Sequence, residues 1–273
     1  GRLLFYPIER RPGGRHRASQ ANLLFEPVEG TGSTPCDLEI APDGSLLIAT
    51  GGRGTMGALL KLDISEETAD VPTPKSELEA VLAAPAPQSA WSQEAQRELL
   101  SLLGKERLLE AAFRLDLPIQ QRQRAIEILV ESFNGLPNAA LQELARDENA
   151  ALRATVAWAW NYHYSSHSKN LLLAFLRDRN PDVRGWAARG WRARPEILDE
   201  ATATTALRAL FSDPHPRVRE AATSVAKVLA DQTWDRFLSD TRFTEAAAGI
   251  ALTYARLLRD GTTEALPEII ERA

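Results

Sequence analysis

The 273 residues hold one cysteine, Cys36, and one methionine, Met56. A single thiol excludes an internal disulfide framework, a cysteine-rich zinc site and a CxxCH haem attachment within the chain. No run of about 18 apolar residues occurs, so no membrane insertion is expected of this segment. A basic surplus is missing too: 32 Lys and Arg face 37 Asp and Glu, a net charge of -5 with a pI near 5.6. Nucleic acid is therefore not expected as a partner, because phosphate binding needs a cationic footprint. Neither a GxSxG nucleophile elbow nor a GxxxxGK phosphate cradle is present, so no catalytic residue stands out. Glycine rather than methionine stands first, which predicts a chain processed or excised from a longer one.

What is there falls into two halves. Residues 1–64 alternate in short apolar runs broken by turn residues: "GRLLFYPIE", "ANLLFEP", "DLEIA", Pro42-Asp43-Gly44, "SLLIAT", Gly51-Gly52-Arg53-Gly54 and "GALLKLD". Pro42 presets φ and Gly44 supplies a permissive backbone, so this stretch predicts an antiparallel meander of three or four strands. Arg15, His16 and Arg17 read as a solvated loop between strands. Residues 65–75, "SEETADVPTPK", have the acids and prolines of an extended linker. A lone meander exposes both edges and one apolar face. It should therefore pack on the first helices, around residues 76–103, or remain poorly ordered.

The segment "TPCDLEIAPDGSLLIATGGRGTMGALLKLD" resembles the last blade of glucose/sorbosone dehydrogenase-like β-propellers. It is most similar to bacterial membrane-bound dehydrogenases in which a propeller precedes helical repeats. The resemblance covers about the first 64 residues. It implies a larger, periplasmic or secreted bacterial parent, a quinone-dependent sugar or alcohol oxidoreductase that carries pyrroloquinoline quinone, calcium or haem c. A propeller needs at least four blades of about 40 residues, so no cofactor is expected in this chain alone. In the family an arginine-rich stretch before the blade's aspartate helps hold the quinone. The matching Ser33-Thr34-Pro35-Cys36-Asp37 lacks arginine.

From residue 76 helix formers dominate, and a repeat emerges. "DLPIQQRQRAIEIL", "DENAALRATVAWAW", "DRNPDVRGWAARGW" and "DPHPRVREAATSVA" each place an aspartate six residues before an arginine. The pairs are Asp116 and Arg122, Asp147 and Arg153, Asp178 and Arg184, Asp213 and Arg219; the aspartates stand 31, 31 and 35 residues apart. The pattern resembles the HEAT repeat, a pair of antiparallel helices with aspartate at the turn and arginine opening the second helix. An aspartate there can cap free backbone N–H groups, and its carboxylate can meet arginines of adjacent repeats in a structural ladder. Pro118, Pro181, Pro214 and Pro216 fall where a missing N–H costs little. Helix pairs are predicted at 76–103, 105–133, 137–162, 167–193, 199–230 and 233–258, with a last helix at 263–272. The predicted fold is mainly α, a HEAT-type solenoid over 76–273 behind a small antiparallel β meander, the remnant of a propeller blade, over 1–64.

Columns counted from each arginine separate core from surface. Three residues on stand Ala125, Val156, Ala187 and Ala222; six on stand Ile128, Ala159, Gly190 and Val225. Small apolar residues there predict close helix packing. Trp160 and Trp191 share another column with Leu129 and Ala226 and read as core. Columns two, five and nine share one helix face and hold Arg124, Glu127 and Glu131, then Thr155, Trp158 and Tyr162, then Trp186, Arg189 and Ala193, then Ala221, Ser224 and Val228. This face reads as exposed. Trp158, Tyr162, Trp186, Arg189 and Arg124 are candidate contacts for a protein partner on the concave face, because these residue types dominate interface hot spots. His163 and His167 have helical metal-ligand spacing but no third ligand nearby, so no metal is expected. His215, between two prolines, is expected in an exposed turn.

Overall fold

The computed structural model describes residues 2–11, 15–26, 34–52, 55–63, 74–84, 90–162, 168–240 and 246–261. The expected helix at 263–272, most of the linker at 65–75, and His163 and His167 lie outside them. The chain divides into two compact units, Gly1–Leu108 and Leu109–Ala273.

In the first unit, strand β1 (Leu3–Phe5) pairs antiparallel with β4 (Asn22–Phe25), and β2 (Ile8–Arg11) with β3 (Arg15–Ala18). Arg15, His16 and Arg17 thus belong to a strand, correcting the loop expected there: Arg17 lies opposite Glu9 in a regular ladder. Strands β5 (Pro35–Ile40), β6 (Leu46–Gly52) and β7 (Thr55–Leu62) form the meander. Its first turn closes on Gly44, at φ 83°, whose N–H bonds Ala41 O at 2.9 Å. The Asp43 carboxylate accepts from the Ser45 N–H and hydroxyl, and pairs with Lys61 across the sheet at 2.8 Å. The Lys61 ammonium, then the Ser45 donors, hold that carboxyl well below the usual carboxylate range.

One meander face collects Leu38, Ile40, Leu46, Ile48, Leu60 and Leu62 in register. Ile48 is buried, whereas Leu38 and Ile40 stay 44% and 46% exposed. Helix α1 (Glu77–Leu82) starts on Ser76, whose hydroxyl accepts from the Glu79 N–H. Helix α2 (Ala90–Phe113) breaks at Gly104, and its Trp91 indole N–H donates to Ile40 O, tying the meander to this helix.

The second unit is two layers of helices. α3 (Ile119–Phe133), α5 (Ala150–Asn161), α7 (Pro181–Ala193), α9 (Pro216–Ala226) and α11 (Ala246–Asp260) pack side by side in that order. Behind them, α4 (Asn138–Leu144), α6 (Lys169–Leu176) and α8 (Glu200–Phe211) each pack on the helix that follows, and α10 (Asp231–Asp240) lies against α8. A 3₁₀ turn, Pro195–Ile197, links α7 to α8. The longer 35-residue interval is taken up in α8, which has 12 residues against 8 in α6. Four extra residues make about one helical turn, so α8 presents the same face and the repeat register survives.

The core lies where the columns put it. Ala125, Val156, Ala187 and Ala222 are fully buried, as are Trp160 and Trp191. Gly190 lets α5 and α7 approach closely: a Cβ on it would lie 1.9 Å from Asn161 Oδ1 and 2.7 Å from Trp160 Cζ3. His215 is half-buried at the start of α9 instead of exposed, its backbone N–H anchored on the Asp213 carboxylate, itself in a buried residue.

Candidate functional site

Each repeat turn is built the same way. The Asp147, Asp178 and Asp213 carboxylates accept from the N–H two residues on, at Asn149, Asn180 and His215, over 2.7–2.8 Å. The helix cap is then not the aspartate but the residue it positions: Asn149 Oδ1 accepts from Ala151 and Leu152 N–H, and Asn180 Oδ1 from Asp182 and Val183 N–H. The second carboxylate edge faces the preceding repeat. Arg122 pairs with Asp147 at 2.6 Å, Arg153 with Asp178 at 2.8 Å, and Arg184 with Asp213 at 2.6 Å, every side chain 13% exposed or less. The same guanidinium tails reach back to their own turn: Arg153 donates to Asp147 O and Glu148 O, Arg184 to Asp178 O, Arg219 to Asp213 O.

Burial pulls the Asp178 carboxyl upward, but Arg153 and the Asn180 N–H outweigh it and leave the group below its ordinary value. Asp116 departs from the pattern. Two residues on stands Pro118, which has no N–H to give, and the carboxylate turns to Arg114 at an exposed site. The ladder is thus a bracing element with every buried charge paired, and it offers no free group for chemistry.

The candidate face is graded rather than uniformly exposed. Column nine (Glu131, Tyr162, Ala193, Val228) is open to solvent, column five is half-open, and column two turns inward. Arg124, expected on the exposed face, is only 8% exposed and is clasped by Glu127 and Glu131 at 3.3 and 3.2 Å. One residue earlier, the Gln123 carboxamide donates to the Thr155 hydroxyl of α5. Trp158 and Tyr162 form a tilted ring pair with centroids 5.2 Å apart, Tyr162 being 49% exposed. On the adjacent helix the Arg189 guanidinium lies 4.8 Å above the Trp186 ring. The Asn161 carboxamide donates to Trp186 O at 3.2 Å, so the two groups share the α5–α7 seam.

Column eight, Val130, Asn161, Arg192 and Lys227, escaped the sequence reading. Arg192 and Lys227 are exposed there. The signal was available, since column eight lies three residues after column five and so neighbours it on the helix surface.

Among the described residues no group of three or more His, Cys, Asp or Glu could hold a metal ion. The Cys36 thiol donates to Thr34 O and Gly51 O. Two open grooves, one of 330 Å³ between α6 and α8 and one of 290 Å³ between α4 and α6, are lined by Leu173, Arg177 and Thr205 in the first and Gln142, Arg146 and Asn170 in the second. Neither pairs a nucleophile with a base. No helix among the described residues is long and apolar enough to cross a membrane.

No curated protein and no solved structure matches the chain. Residues 137–227 match the family model for HEAT repeats, so the stretch from the turn before α4 to the end of α9, where the Asp–Arg ladder is best formed, is built of HEAT repeats.

Proposed function

We propose that the helical unit is a non-catalytic protein-interaction scaffold, with a partner seated across the exposed face of α5 and α7 on the concave side of the solenoid. The observation that carries this reading is the presence on neighbouring helices of two partly exposed ring groups, Trp158 with Tyr162 and Trp186 with Arg189. Repeat stacks offer long continuous surfaces, and Trp, Tyr and Arg supply most of the binding energy at protein interfaces. Trp158→Ala should change stability by less than about 1 kcal/mol while weakening partner binding. A stability loss of about 3–5 kcal/mol, the cost of truncating a core ring, would refute the interface role.

We also propose that the chain is a segment of a larger secreted or periplasmic bacterial protein of the propeller-dehydrogenase type. Support comes from the resemblance of residues 34–63 and from the apolar meander face that leaves Leu38 and Ile40 exposed, as a sheet does when more sheet covers it in the whole protein.

A further inference from the structure

The α5–α7 face carries charge as well as rings. Arg189 and Arg192 stand three residues apart on α7, both exposed and on one side of the helix. Lys227, in the same column as Arg192, adds a third exposed cation at the end of α9. None of the three forms an ion pair with a described carboxylate, unlike Arg122, Arg124, Arg153, Arg184 and Arg259 of this unit. Stacking on Trp186 restricts the Arg189 guanidinium, which lowers the entropic cost of receiving an anion. Two helices back, α3 presents Glu127 and Glu131 around the buried Arg124. On α9 the exposed Glu220 lies seven residues before Lys227 on the same stripe and offsets it, so the positive charge is concentrated on α7. The face is therefore polarised: carboxylates at α3, rings at α5, arginines at α7.

Resting on the interaction reading above, we propose that the occupant of this face is an acidic linear peptide. Its carboxylates pair with Arg189 and Arg192, and an aromatic or leucine side chain lies against Trp158 and Tyr162. The acidic end sits over α7, because at α3 it would meet Glu127 and Glu131. A continuous polyanion such as nucleic acid would have to cross those carboxylates, which a short peptide avoids. The net charge of -5 opposes indiscriminate capture of acidic chains, and attraction is confined to a patch no wider than a few Debye lengths of about 8–10 Å.

The test is selection from a random linear peptide library on the full chain, with selected peptides resynthesised and titrated by fluorescence anisotropy at low and high salt. Acidic sequences containing an aromatic residue or leucine should be enriched, and their affinity should fall about tenfold or more in Arg189→Glu. The double variant Arg189→Glu/Arg192→Glu should instead enrich basic peptides, a gain that a misfolded protein could not produce. Neutral or basic peptides enriched on the wild type, an oligonucleotide bound as tightly as the acidic peptides, or acidic peptides indifferent to the reversal would overturn the acidic occupant. If neutral peptides are selected and lost in Trp158→Ala/Trp186→Ala, the face stands and only the charge preference falls. Peptides that ignore both sets of substitutions, or no enrichment at all, would overturn the face itself.

Discussion

Gly190→Ala sets helix propensity against packing. Alanine in a helix interior is worth about 1 kcal/mol over glycine, so propensity alone predicts a more stable protein. Packing predicts the opposite. The new Cβ would stand 1.9 Å from Asn161 Oδ1, 2.9 Å from Asn161 Cγ and 2.7 Å from Trp160 Cζ3. The carboxamide can swing away only by giving up its bond to Trp186 O, at a cost of about 0.5–1.5 kcal/mol. The Trp160 ring is fully buried and edge-on to Phe175, so it cannot yield without opening the α5–α6 core. Overpacking of this kind costs about 1–3 kcal/mol, so with the lost bond added and the propensity gain subtracted a net loss of about 0.5–3.5 kcal/mol remains. Gly185 is the internal control, lying in the same helix with nothing within 4 Å of an added Cβ. Gly185→Ala should therefore stabilise by about 0.5–1 kcal/mol. Urea titrations followed by circular dichroism would resolve the two. At a slope of about 2–3 kcal/mol per M, a 2 kcal/mol loss moves the midpoint down by about 0.7–1 M. Asn161→Ala in the Gly190→Ala background should recover part of the loss, appearing as a coupling above about 0.5 kcal/mol in the cycle. A neutral or stabilising Gly190→Ala would refute the close approach of α5 and α7.

Three further outcomes follow from the ladder and from the first unit. Removing either Arg153 or Asp178 strands a buried charge and should cost about 3–5 kcal/mol; Asp116→Ala, at the exposed end, should leave the urea midpoint where it was. The folded-state carboxyl of Asp178 sits below its unfolded value of about 3.9, so its contribution is complete above that pH and disappears as pH falls through the lower folded value. Acid titration of Asp178→Asn should accordingly lose less stability below pH of about 4 than the wild type loses, and an identical acid limb would show that the pair carries no linkage. Pyrroloquinoline quinone added with calcium should give no dye-linked sugar oxidation, since the segment around Asp37 lacks the arginine that would hold it; turnover above a protein-free blank would restore an enzymatic reading.

The repeat was legible in the sequence because its signals are local and recur at a fixed interval. Aspartate six residues before arginine and proline in the first helical turn report contacts made within one turn, and small residues in columns three and six recur because each helix meets its neighbour in the same way, as Gly190 of α7 meets α5. The buried rings of Trp160 and Trp191 follow from the same columns. The hairpin of β2 and β3 was hidden because charged residues, Arg15 to Arg17, mask the strand pattern. The cap was misassigned for a different reason: Asp147 and Asp178 reach the N–H two residues on, leaving Asn149 and Asn180 to cap the helix.

Length, charge and the 31-residue periodicity determined on their own that this chain stacks helix pairs, and they marked the rows of side chains that face inward. Which carboxylate each arginine takes was decided only by the stacking of one repeat on the next, which carries Asp178 to Arg153 across 25 residues and Asp213 to Arg184 across 29. Arg124 is buried with Glu127 and Glu131 of its own helix around it, whereas Arg189 and Arg192 stay open. Helical periodicity assigns a residue to a face, but its exposure depends on how closely the neighbouring helix lies, and that distance is set by the shapes of side chains from two different repeats.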